Sequence, residues 1–167
     1  MLKHTLAAAH WMKELIKGEG GDEKILMTAI YLHDIGYPGL LRENYTFEEV
    51  SDKTTKEIHM KKGAETAEKI LKELGEYTPD EIREIVHLVY VHDKIWQLST
   101  HNEILVMEAD SLSSLDRNRT KITLDKENML KFLEHFERKR TPRFKTKTGK
   151  KILSRLLKQT KEYVMNM

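Results

Sequence analysis

A chain of 167 residues with three Pro, eight Gly and no Cys has room for one domain with an ordinary core. The missing Cys exclude a disulfide framework, a thiolate nucleophile and sulfur-ligated zinc, and they favour a reducing cytoplasm. The formal net charge of +2 conceals a division: residues 1–137 carry 18 Lys and Arg against 26 Asp and Glu, net −8, whereas residues 138–167 carry 11 against 1, net +10.

Leu2, Leu6, Ala9, Met12 and Ile16 stand at helical spacing and predict a first inward face over residues 2–17, with Gly18, Gly20 and Gly21 as the stop. No long apolar segment precedes the first charges, and no apolar run approaches the roughly 18 residues of a membrane span. A cytoplasmic protein with no membrane partner is expected. Asp22 caps a second helix through Ile25, Leu26, Ala29, Ile30 and Leu32, which gives out at His33-Asp34-Ile35-Gly36, with Pro38 beyond. From Ile35 to about Thr55 the periodicity fails, yet Tyr37, Leu40, Leu41, Tyr45 and Phe47 make the loop apolar, as a lid or substrate wall would be.

A third helix from about Lys56 to Leu74 turns Ile58, Ala64, Ala67, Ile70, Leu71 and Leu74 inward and ends at Gly75. Thr78-Pro79-Asp80-Glu81 is a helix start, with a hydroxyl cap, Pro at the first position and acids following. Ile82, Ile85, Val86 and Val89 carry that fourth helix to His92. Ile104, Leu105, Met107, Ala109 and Leu112 form a fifth helix, which bears Asp110. Asp125 caps a sixth through Met129, Phe132, Leu133 and Phe136. A basic linker containing Pro142 leads to a last helix with Ile152, Leu153, Leu156, Leu157 and Val164 inward. The pattern predicts an all-α bundle, residues 1–137, with a basic C-terminal extension, residues 138–167, packing on the same domain.

The chemistry concentrates where the second helix gives out. His33 and Asp34 are adjacent there, and neighbours on a helix point about 100° apart, so one metal can use both only near a helix end. His4, His59, His92 and Asp110 lie on other helical segments. Four His with two Asp suit a first-row metal such as iron or manganese, and a helical bundle can gather them in a shared core.

The arrangement resembles the HD-domain superfamily of all-α, metal-dependent phosphohydrolases. The likeness is carried by His4-Thr5-Leu6, by His33-Asp34 closing the second helix, by His59 with Gly63-Ala64-Glu65 four residues on, by His92 closing the fourth helix, and by Ala109-Asp110 on the fifth. It is nearest to the dinuclear members, such as the HD-type diadenosine tetraphosphate hydrolases. The resemblance implies that His4, His33, Asp34 and Asp110 hold one divalent metal ion and that His59 and His92 hold a second, with Asp34 bridging as the catalytic carboxylate. It implies two ions, iron or manganese, and hydrolysis of a nucleotide or other small phosphorylated substrate through a metal-bridging hydroxide, since a bound cation lowers the pKa of water to about 7.

Two ligand positions have rivals. His10 lies about 240° round the helix from His4, and His87 about 140° from His92, so only one of each pair can face the site. His4-Thr5-Leu6 and Val89-Tyr90-Val91-His92 match the family pattern, which leaves His10 to core or surface and His87 to a role behind the ligands. His101 and His135 read as surface. Gly36-Tyr37-Pro38 spells the tripeptide of the HD-GYP phosphodiesterases, but in that family it follows a later His-His-Glu stretch, so the match is coincidental.

Lys61, Lys62, Arg143 and Lys145 are the candidates for holding substrate phosphates. Arg138 to Lys151 contains eight cations and no acid, with one Phe. That is thin aromatic interleaving for a single-strand nucleic-acid binder, and a phosphate collar near the site is the preferred reading. Two other classes stand beside the hydrolase: an HD-type diiron oxygenase, and a nucleic-acid-binding module built on the basic tail.

Overall fold

The computed structural model describes residues 2–40, 49, 52–120 and 124–167. Among them the chain forms seven helices: α1 (Leu2–Glu19), α2 (Glu23–Leu32), α3 (Lys53–Leu74), α4 (Pro79–Val91), α5 (His101–Leu115), α6 (Lys126–Lys139) and, after a 3-10 turn at Thr141–Arg143, α7 (Lys147–Met165). No strand occurs among the described residues. Six of these helices start at a side-chain cap, in which Asp22, Asp52, Thr78, Thr100, Asp125 or Thr146 accepts a backbone N–H that the helix leaves unpaired. Thr78 and Thr100 form full capping boxes with Glu81 and Glu103. The Asp52 cap starts α3 at Lys53, earlier than the apolar period indicates.

The bundle is arranged around α5, which is buried from Glu103 to Ser113 without a break. A helix hidden on every side must be apolar or have each polar group satisfied, and α5 carries Glu103, Glu108, Asp110, Ser111 and Ser113 inside. Helices α1, α2, α4 and α7 all pack on it, while α3 lies against α4. The family of contacts places the C-terminal helix against α1, α5 and α6. No described helix is long and apolar enough to cross a membrane.

Two inward faces differ from the periodic reading. Leu2 and Leu6 of α1 are exposed, and the core side is formed by Ala8, Ala9, Trp11, Met12 and Leu15. Residues two apart on a helix point about 200° apart, so turning His4 into the bundle turns both Leu side chains out. In α3, Ile58 and Leu74 are exposed because His59, Met60 and Gly63 occupy the buried side.

Of the expected apolar loop, residues 41–48, 50 and 51 lie outside the described residues. Its first part is a chain of tight turns, closed by Ile35 N–H to Leu32 O, Tyr37 N–H to Asp34 O and Leu40 N–H to Tyr37 O. It lies flat on α3. A Cβ on Gly36 would fall 2.0 Å from the His59 carbonyl oxygen and 2.7 Å from Gly63 N. Gly36 is therefore required by backbone approach, and it fixes the His33-Asp34 turn against the helix that carries His59. Gly36→Ala forces these two backbones apart. We expect a loss of at least about 1–3 kcal/mol in denaturant unfolding, and a wild-type midpoint would refute the contact.

Candidate metal centre

The candidate histidines are presented by three devices. His33 is the C-cap of α2 and His92 the C-cap of α4. Both use the same trick: Nδ1 lies 2.7 Å from Ile30 O in the first case and 2.8 Å from Val89 O in the second, each three residues back. A carbonyl only accepts, so Nδ1 carries the proton and Nε2 of the neutral ring is left with a lone pair. His4, in the first turn of α1, is fixed by Ser113 of α5. The Ser113 hydroxyl donates to Asp110 O at 2.6 Å and so accepts from His4 Nδ1–H at 2.9 Å. The His59 ring is held by Tyr37, whose ring stacks on it at 4.0 Å and 11°.

These four imidazoles converge with two carboxylates. His4, His33 and Asp110 form one group of donor atoms, and Asp34, His59 and His92 a second. In the first, His4 Nε2 is 3.2 Å from His33 Nε2 and 3.0 Å from Asp110 Oδ1. In the second, His59 Nε2 is 3.3 Å from His92 Nε2. The two groups meet at Asp34. Its Oδ2 lies 3.5 Å from His4 Nε2 and 3.4 Å from His33 Nε2, and its Oδ1 lies 4.0 Å from His59 Nε2 and 3.8 Å from His92 Nε2.

The donor set fits a cation. When the rings are neutral, lone pairs facing one another at these distances repel unless a positive centre lies between them, and without a metal the extra proton of His33 is that centre. Ligand bonds of about 2.0–2.1 Å at angles of about 90–110° separate donors by about 2.8–3.4 Å. Two helices, α2 and α4, also direct their C-terminal carbonyl ends, which carry partial negative charge, at the cluster.

The sequence pattern of the HD domain matches residues 1–115. The chain belongs to the HD-domain family. HD domains bind divalent metals, and the family is one of metal-dependent phosphohydrolases. No curated protein and no solved structure matches the chain. The HD match ends with α5, so α6, the 3-10 turn and α7 lie beyond it.

Around the six candidate ligands lie charges that the sequence did not single out. Asp93, next to His92, is half-buried with its side chain 7% exposed, and is flanked by Arg140 Nη2 and, at 3.1 Å, by Lys56 Nζ. Burial works to raise its pKa, but these two cations overcome it and bring it down to about 2. Arg140 Nη1 also donates to Asp110 Oδ2 at 2.8 Å. Asp110 is held well below the usual carboxylate range, burial being outweighed by Arg140 and the imidazoles. Burial, aided by His92, lowers His59 to about 4, and burial likewise lowers His92. His33 moves the other way: burial opposes its charge, and Asp34 and Asp110 more than compensate, so its pKa is raised well above the ordinary value. Burial holds the Tyr37 phenol up, with Asp34 adding to it, so it stays neutral.

The four proposed phosphate ligands make their contacts elsewhere. Lys62 Nζ donates to Pro38 O at 2.6 Å, which ties α3 to the turn after His33-Asp34. Lys61 is exposed and lies about 200° round α3 from His59. Arg143 stacks on Trp96, its guanidinium 3.6 Å from the ring centre. Lys145 is exposed and lines a shallow cleft with Glu19, Thr100 and His101. The residue of the basic segment that reaches the cluster is Arg140, which donates to Asp110, Ser111 and Asp93.

The rival histidines separate clearly. His10 packs on Trp11, 4.6 Å between ring centres, in a cleft with Arg119 and Arg155. His87 does not stand behind the ligands; its Nε2 pairs with Glu103 Oε1 at 2.6 Å, at the start of α5. His101 is exposed, whereas His135, expected at the surface, is half-buried on α6, where the charges of Lys56 and Arg140 add to burial in lowering its pKa.

A metal ion needs neutral imidazoles. His59 and His92 are neutral at pH 7, but His33 in the metal-free protein holds a proton that an ion must displace. Uptake of Mn²⁺ at pH 7 should release about one proton per chain, and affinity should rise with pH until the folded His33 pKa is passed. Calorimetry in buffers of different ionisation enthalpy measures this release, and heats independent of buffer would rule it out.

Proposed function

We propose that the chain is a phosphohydrolase that uses two divalent cations, iron or manganese, to hydrolyse a nucleotide or other small phosphorylated substrate. His4, His33, Asp34 and Asp110 would hold one ion, and His59 and His92, with the other oxygen of Asp34, the second. The observation that carries the reading is Asp34, whose two oxygens face different groups of imidazoles. The ligand set resembles that of the dinuclear HD-type diadenosine tetraphosphate hydrolases. Cations held by these residues would supply charge neutralisation at phosphoryl oxygens and a more acidic water.

The chain's own residues supply orientation and polarity. Asp34 stays ionised, because His33 outweighs the burial that would raise its pKa; it would offer an anionic oxygen to each group of imidazoles. The openings to the cluster are at His4 and Asp34, with side-chain exposures of 24% and 17%, while His33 and His59 are fully buried. A phosphate therefore approaches across the first group.

Protein reconstituted with Mn²⁺ or Fe²⁺ should release phosphate from members of a panel of nucleotides and phosphomonoesters. His59→Ala and His92→Ala should each reduce bound metal toward one equivalent. Asp34→Asn should lose more activity than either, beyond the roughly 10–100-fold that follows loss of a residue merely supporting a ligand. Full activity in Asp34→Asn would sink the mechanism. Product formation that requires O₂, with no phosphate released from the panel, would identify the diiron oxygenase instead.

A further inference from the structure

Among the described residues, the segment beyond the HD match sends Arg140 into the cluster, where its guanidinium makes three hydrogen bonds. Arg140 is the C-cap of α6; its N–H donates to Phe136 O at 2.8 Å and its carbonyl accepts from Arg143 N–H at 2.9 Å. The backbone is thus pinned on both sides. Its guanidinium, 16% exposed, donates through Nη1 to Asp110 Oδ2 and Ser111 Oγ, both at 2.8 Å, and through Nη2 to Asp93 Oδ1.

Asp110 is divided by this contact. Its Oδ1 lies 3.0 Å from His4 Nε2 and 3.6 Å from His33 Nε2, while Oδ2 is bound by Arg140. A carboxylate can turn about its last torsion, and fixing Oδ2 fixes where Oδ1 points. Charge counting decides between holding a carboxylate and holding a substrate. Arg140 and Lys56 face Asp93 and Asp110, two cations for two anions, so the guanidinium has no uncompensated charge to offer a phosphate. A planar fork that spans two carboxylates and a hydroxyl is a task for Arg, since Lys presents only a point charge.

We propose that Arg140 is a positioning residue for Asp110, so that the C-terminal segment outside the HD core sets the metal affinity of the His4, His33 and Asp110 group. This rests on the dinuclear reading above and adds a dependence that reading does not require. The segment is itself fixed to the core by Glu108, whose buried carboxylate accepts from Lys145 N, Thr146 N and Thr146 Oγ1 at the start of α7. Metal binding and docking of the tail are then coupled through α5, which carries both Glu108 and Asp110.

The test is Mn²⁺ titration of the full chain, by electron paramagnetic resonance of free Mn²⁺, for wild type, Arg140→Gln and Arg140→Lys, with thermal melting and steady-state kinetics alongside. Wild type should bind two ions. Arg140→Gln should weaken one of them about 10–100-fold and leave the other unchanged, and Arg140→Lys should show the same selective loss although it keeps the charge. Excess Mn²⁺ should restore kcat with KM unchanged. Equal weakening of both ions together with a lowered melting temperature would reduce Arg140 to a structural role, and a raised KM that excess metal does not relieve would make it a substrate contact. Either overturns the proposal, as do two wild-type affinities in Arg140→Lys if Arg140→Gln fails to fold. A wild-type chain that takes up no Mn²⁺ removes the metal centre and this inference with it, whereas two ions bound with wild-type affinity in both variants leave the centre standing and reject the inference alone.

Discussion

Six acceptor groups converge on a space a few ångströms wide, and the rest of the molecule can be read as what that convergence requires. Neutral imidazoles and ionised carboxylates crowded together repel, and burying a carboxylate costs several kcal/mol unless opposite charge or hydrogen bonds compensate. Asp34 carries the heaviest share, since it lies between both pairs of imidazoles. Holding it there takes the His33-Asp34 turn, the Gly36 backbone pressed against α3, and Tyr37 stacked on His59. None of these contacts touches a reacting atom, yet each limits where a ligand can go.

The solution is local at His33 and His92 and tertiary at His4 and Asp110. His33 and His92 are each oriented by a carbonyl of their own helix, so their tautomers are set before any tertiary contact forms. His4 is instead oriented across the bundle by Ser113, and Asp110 by Arg140, so the first group depends on packing of α1 and of the C-terminal segment. The polar residues of α5 are arranged by turn: Glu103 caps its own helix and holds His87, Glu108 holds the start of α7, and Asp110 and Ser113 face the cluster. That is how a helix so deeply buried can be so polar.

Helix existence was legible because it depends on short-range chemistry. Asp22, Thr78 and Asp125 are caps within three residues of what they bind, and Gly75 stops α3 with φ of 67°, a left-handed conformation suited to Gly. The six residues of the cluster were legible because their types and spacing resemble a known pattern. The face that a helix buries was less so. Leu2, Leu6 and Ile58 satisfy an apolar period, but His4 and His59 outrank them, since a polar cluster that several helices share fixes the rotation of each one. Arg140 and Asp93 were missed for a related reason. Their partners are 30 and 47 residues away along the chain in the case of Arg140, and nothing in a run of eight cations distinguishes the one that turns inward.

The basic tail shows why a charge count reports a balance and not a partner. Net charges of −8 and +10 on the two parts invite a search for an external polyanion, but the strongest demands on the tail come from inside. Buried Glu108 needs donors and takes two backbone N–H groups and a hydroxyl at the start of α7, where the helix leaves its N–H groups unpaired. Gly149 is part of that fit, because a Cβ there would overlap Glu108 Oε2. Glu19 accepts a further N–H from Thr148 at 2.6 Å. Only Arg140 answers a buried charge with a charge; Lys145, Lys147, Lys150 and Lys151 remain exposed. The tail is thus held by the buried apolar face of Phe144, Leu153, Leu156 and Val164, by N–H and hydroxyl groups at the start of α7, and by one guanidinium. Its lysines can be changed at the surface with little effect on docking, whereas the carboxylates of Glu108 and Asp110 cannot be separated from it.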